Sequence, residues 1–80
     1  MALAQTFGRN VRETRQAKGL TLEQLAHDLG MSYSYVGQLE RGQRNPSLRT
    51  VERIASVLSC APLSLLSPSD DCPIVTAATE

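Results

Sequence analysis

Tryptophan is absent, and one phenylalanine and two tyrosines make up the whole aromatic content. At 4% of 80 residues, aromatics are too few to build a core, which must therefore be aliphatic. No apolar run approaches the roughly 18 residues of a membrane-crossing helix. The opening MALAQTFGRN lacks the charged stretch and long apolar core of a secretory signal, so the expected location is the cytoplasm. Cys60 and Cys72 stand twelve apart, and the single histidine, His27, is distant from both in sequence, so no metal site is expected. Intracellular thiols are normally reduced. Cys60 is expected to be a small buried apolar group and Cys72 a solvent-exposed thiol in the tail. His27 has no serine, cysteine or aspartate at workable spacing and is expected on the outer face of its helix. There is no phosphate-cradling loop and no paired-carboxylate motif, so nothing reads as an enzyme and no cofactor is implied.

Net charge is also lacking: eight basic residues balance eight acids. Their distribution is uneven. All eight basic residues lie between Arg9 and Arg53, whereas Asp70, Asp71 and Glu80 fall in the last eleven positions. Residues 1–66 thus hold eight basic and five acidic side chains, a net of +3. That bias is mild and would not by itself establish a nucleic-acid partner. The length permits one domain. A chain this small buries only about 60% of its unfolded surface, so its stability margin is thin.

What is present centres on Thr21 to Gly42, TLEQLAHDLGMSYSYVGQLERG. Thr21 and Gln24 form a capping-box pair ahead of Leu22, Leu25, Ala26 and Leu29 at helical spacing. Gly30 sits where that helix should stop in a left-handed residue. Met31 follows as an apolar plug, and Ser32 is a second N-cap. Val36 and Leu39 face inward from the second helix, which Gly42 closes. Helices this short are marginal alone. Two of them joined by a tight turn, the second polar at its start, make the helix-turn-helix unit that places a recognition helix in the DNA major groove.

The remaining chain reads as scaffold. Leu3 to Lys18 is the first helix, with Leu3, Phe7 and Val11 on one side. Gly8 is a poor helix former and implies close approach of another helix; Gly19 and Leu20 end the helix in Schellman fashion. Gly37 likewise implies close packing. Pro46 makes the QRNP stretch a loop. Ser47 caps a helix to about Leu58, with Leu48, Val51, Ile54, Ala55 and Leu58 on one face. Pro62 suits the first position of a short last helix. Its Leu63, Leu65 and Leu66 exceed one narrow stripe; they either contact a second subunit or fill the small core. Residues 67–80 read as a disordered acidic tail, or Pro73 to Thr76 adds an edge strand to a partner. No internal repeat is visible.

From Phe7 to Leu66 the chain resembles the Xre/Cro-type, lambda-repressor-like helix-turn-helix proteins. GLTLEQLA, YVGQLERG and NPSLRTVERIASVL carry the resemblance, in order and at the family's spacing. In size it is also similar to restriction–modification controller proteins and small phage-type repressors. The resemblance implies an all-α, five-helix domain, here residues 1–66, acting as a homodimer on a palindromic operator; Leu63, Leu65 and Leu66 are the expected dimer contact if their surplus is not spent on the core. The implied base-facing positions are Ser32, Tyr33, Ser34 and Gln38. The implied ion pair is Arg15 with Glu40. Leu22 stands where relatives often have a polar phosphate-contacting residue. Ser59 replaces the usual glycine, and Cys60 the following aliphatic.

Chemistry fills in the roles. Gln38 matches the N7 and N6 edge of adenine, or is a solvated polar residue. Tyr33 can touch a thymine methyl with its ring and a phosphate with its hydroxyl. Tyr35 points about 200° away from Tyr33 and is assigned to phosphate or the groove wall. Ser32 serves first as a cap, and Ser34 is a short donor. Thr21, Arg12, Arg41 and Arg44 are phosphate candidates. The expected partners are double-stranded DNA and a second copy, with a contact to RNA polymerase left open and no membrane or metal. The rival expectation is an antitoxin-like or other protein-interaction module, which holds its partner through the tail or the last helix.

Overall fold

The computed structural model of the protein describes residues 2–67. Of the expected tail only Ser67 is among them; residues 68–80, Cys72 included, lie outside. Five helices and no strands occur among the described residues: α1 (Ala2–Ala17), α2 (Leu22–Leu29), α3 (Tyr33–Glu40), α4 (Leu48–Leu58) and α5 (Pro62–Leu66).

Local chemistry sets most helix ends. Thr21 Oγ1 accepts from the Gln24 amide at 3.0 Å, while Gln24 Oε1 accepts from the Thr21 amide at 2.8 Å. Two orphan donors of α2 are thereby satisfied. At the other end Gly30 is left-handed, with φ +68°, and the Met31 amide bonds back to the Ala26 carbonyl at 3.0 Å. Ser32 and Ser47 cap α3 and α4 by accepting from the Tyr35 and Thr50 amides, without the return bond that Gln24 makes. Ser59 ends α4 in the left-handed region at φ +57°, although it has a Cβ.

The core is aliphatic apart from Phe7. It draws Phe7 and Val11 from α1, Leu25 and Leu29 from α2, Val36 and Leu39 from α3, Ile54 and Leu58 from α4, and Leu65 from α5. Burying each such side chain is worth about 1.5–3 kcal/mol, so every helix is tied to the others by at least one apolar anchor. Gly8 lets α1 cross the end of α3 in backbone contact. A Cβ there would run into the Leu39 carbonyl oxygen and lie 2.7 Å from that of Glu40.

Several expectations need correction. The three leucines of α5 do not act alike. Leu65 is 1% exposed and belongs to its own chain's core, which removes it from any dimer interface, whereas Leu63 is 75% exposed and Leu66 half-buried. A five-residue helix presents about one and a half turns, so one leucine can point in while its neighbours cannot. Leu48 was expected on the inner face of α4 but is 79% exposed, because it is the first residue of that helix and lies beyond the packed layer. Leu3, near the free end of α1, is half exposed. Cys60 is half-buried against the core instead of fully enclosed.

Candidate nucleic-acid interface

The outer side of α3 is open. Ser32, Tyr33 and Ser34 are exposed, and no described residue covers them. Tyr33 presents 60% of its surface. The inner side is fixed by Val36 and Leu39, both fully buried. Ser32 Oγ accepts from the Tyr35 amide at 3.0 Å. A hydroxyl accepting one bond still has its own proton to donate, so Ser32 caps the helix and keeps a donor for solvent or a ligand. The same holds for Thr21 at the start of α2.

Gln38 lies one turn further along and is half-buried. Its Oε1 accepts from Arg44 Nε at 2.8 Å. The Arg44 guanidinium carbon lies 5.1 Å from the centre of the Tyr35 ring. Arg44, which follows α3 in the loop, is therefore held on two sides, by a carbonyl and by an aromatic face. Tyr35 packs partly against the core and presents its ring as a platform. Tyr33 and Tyr35 consequently differ in kind: one is free at the helix start, the other supports an arginine.

Arg41 bends back over α3. A Cβ on Gly37 would sit 3.3 Å from Arg41 Nη1 and 3.5 Å from Leu22 Cδ2. The neighbour of Gly37 is thus a mobile guanidinium tip, not a backbone as at Gly8. Arg12, Leu22, Gly37, Glu40 and Arg41 line a hollow of about 260 Å³ between α1, α2 and α3. Arg12 and Arg41 are both exposed at it. Two guanidinium groups and one carboxylate, the latter held by Arg15, thus meet beside the capped start of α2.

Beneath it lies an ion pair. Arg15 Nε donates to Glu40 Oε2 at 2.7 Å and Nη2 to Oε1 at 3.0 Å, a forked arrangement. Nη1 donates to the Leu20 carbonyl at 2.9 Å. The two side chains are only 11% and 6% exposed. One guanidinium thus links α1, the α1–α2 turn and the end of α3. Elsewhere, Arg53 Nη2 donates to the Leu29 carbonyl at 2.6 Å and so ties α4 to the end of α2. Residue spacing could not have revealed that contact.

His27 is exposed on α2 and pairs loosely with Asp28, 3.6 Å away. No group of three or more histidine, cysteine or carboxylate side chains gathers in metal-binding geometry among the described residues.

The helix-turn-helix family signature matches residues 11–65, more than half of the chain. The chain belongs to this family. Its relatives agree. The uncharacterized HTH-type transcriptional regulator y4dJ of Sinorhizobium fredii is 36% identical over 76 residues, covering 95% of this chain and 99% of its own. The crystal structure of the restriction–modification controller protein C.AhdI from Aeromonas hydrophila superposes with a TM-score of 0.76 at 46% identity, covering 81% of this chain and 98% of that one. The biofilm regulator SinR, solved in complex with DNA, superposes with a TM-score of 0.72 at 32% identity, covering 76% and 98%. The protein is a DNA-binding transcriptional regulator. No helix among the described residues is long and apolar enough to cross a membrane.

Proposed function

We propose that two copies bind a palindromic operator, each inserting α3 into a major groove, with the grooves about 34–36 Å apart. The observation that carries this reading is the two-sidedness of α3. Its inner side is locked by Val36, Leu39 and the Arg15–Glu40 fork, and its outer side is left bare. Ser32, Tyr33, Ser34 and Gln38 face the bases in this arrangement. Thr21, Tyr35, Arg12, Arg41 and Arg44 serve the phosphates, with Tyr35 acting through the arginine stacked on it. The subunits meet through Leu63 and the open part of Leu66. The likeness to controller proteins favours a restriction–modification controller or an autoregulatory repressor working in the cytoplasm, with RNA polymerase as a further contact.

Fluorescence anisotropy with the DNA upstream of the gene tests the proposal. A dimer making about 6–10 phosphate contacts loses roughly 10³–10⁵ in affinity between 50 and 200 mM salt. Tight binding at low salt with that dependence is the expected result. Salt-independent or absent binding refutes the proposal.

A second reading, a protein-interaction module, draws on an apolar hollow of about 180 Å³ lined by residues including Leu3, Phe7, Pro46, Leu48 and Leu66, with Leu3 and Leu48 largely exposed beside it. Leu48→Glu at the exposed rim of this hollow separates the two readings. DNA binding survives on the first, and partner capture is lost on the second.

A further inference from the structure

Asn10 is a buried polar residue, at 5% exposure. It takes no part in the recognition surface. Its Nδ2 donates to the Leu65 carbonyl at 2.9 Å and to the Ser67 carbonyl at 2.6 Å. Both partners can only accept, so chemistry fixes which end of the amide faces them. These bonds span 55 and 57 residues of chain and join the middle of α1 to the end of α5.

Helix α5 needs this support. It has five residues and no side-chain hydrogen bond at its N-cap. A helix of that length has no stability of its own. Leu65 supplies its one fully buried apolar anchor. Leu66 packs partly against the core beside it, but apolar contacts of this kind are non-directional and set position better than angle. The two bonds from Asn10 add a second point of attachment at the C-terminal end, where carbonyls lack helical partners. With both in place, the direction of the exposed Leu63 is set relative to α1. Helix α1 in turn is joined to α3 through Gly8 and through the Arg15–Glu40 fork.

We propose that Asn10 is a positioning residue for subunit pairing, fixing α5 against α1 so that Leu63 and Leu66 meet a second copy at the angle that brings both recognition helices to the operator. The assignment rests on the reading that α5 forms the subunit contact. Asn10 itself touches neither DNA nor the partner. Its loss spares the reading of one half-site and weakens the pairing of two.

The test uses the full chain as wild type, Asn10→Leu and Asn10→Ser. The leucine is near-isosteric and cannot donate, and the serine keeps one donor in a smaller volume. Circular dichroism and urea melts establish that each variant is folded. Sedimentation equilibrium then gives the dimer dissociation constant. Anisotropy gives affinity for the duplex that wild type selects from a randomised pool, and for one isolated half of it. Expected are a half-site affinity within about twofold of wild type and a dimer dissociation constant raised about tenfold or more, with full-site binding falling accordingly. A folded variant that pairs as wild type does overturns the assignment. So does an equal loss on half-site and full site, the mark of a merely structural role. If neither variant folds, the wild-type Asn10 amide protons are followed by NMR through a dilution series. Protection from exchange, and movement together with the Leu63 methyls, support the proposal; free exchange or unmoved signals overturn it. Wild type that sediments as a monomer throughout removes the dimer reading itself, and the role of Asn10 with it. Unaffected variants of a wild type that does pair remove only Asn10.

Discussion

Arg44 Nε lies 2.8 Å from Gln38 Oε1, so the loop arginine and the recognition-helix glutamine form one unit on the open side of α3. The glutamine carbonyl has a second lone pair and its amide nitrogen two protons. The adenine match expected for Gln38 therefore survives, but with the carbonyl shared. Arg44 keeps its terminal nitrogens for DNA while its inner nitrogen is occupied. Substituting either residue is expected to disturb both. Gln38→Ala and Arg44→Ala each lower operator affinity, and the double substitution loses less than the product of the two. The expected coupling lies within about 0.5–3 kcal/mol. Anisotropy at one fixed salt concentration measures it, and strict additivity would show that the two act separately.

The Arg15–Glu40 fork is largely buried, so removing one partner strands the other. Such a loss costs about 3–5 kcal/mol. Glu40→Ala is expected to lower the urea midpoint by a corresponding amount and to weaken operator binding as well, because α3 loses its tie to α1. A variant that melts and binds as wild type does would contradict this.

Gly8 and Gly37 both lie inside helices, yet alanine should act in opposite directions at the two. At Gly8 the added methyl meets the backbone of Leu39 and Glu40. Overpacking of this kind costs about 1–3 kcal/mol, and backbone cannot easily yield. At Gly37 it meets the end of an exposed arginine. That guanidinium can shift a few tenths of an ångström, and helix propensity gains up to about 1 kcal/mol. Thermal melts of Gly8→Ala and Gly37→Ala should move down and up respectively. Operator affinity should fall modestly in the second, because Arg41 is displaced.

Ser59 holds a left-handed conformation at the end of α4 and is solvent-exposed. A residue with a Cβ is strained there by about 1–2 kcal/mol relative to glycine, partly offset by glycine's greater freedom when unfolded. Ser59→Gly is expected to stabilise the domain by about 0.5–1 kcal/mol without altering DNA binding. An unchanged or lowered melting temperature would show that the serine is not strained.

Helix boundaries and the helix-turn-helix were legible in the sequence because each depends on a few adjacent residues. Thr21 with Gln24, Gly30 with Met31, Ser47, and Pro62 act within one turn of themselves. A cap or a left-handed glycine does the same thing wherever its helix lies. The inward rows of α2 and α4 were legible for a similar reason, since a period of 3.6 selects a face without naming what covers it. Leu48 and Leu3 show the limit: periodicity continues to a helix end, but the packed layer does not.

Tertiary structure decided what depends on distance across the fold. It gave Leu65 to the core and Leu63 to the surface, showed that the close approach expected at Gly8 is made by the end of α3 and that expected at Gly37 by an arginine tip, and brought Arg44 onto Gln38 and Tyr35. Asn10 is the clearest case, because its partners lie 55 and 57 residues away. Helical spacing says which way a side chain points, and only the packing of one helix on another says what it meets there.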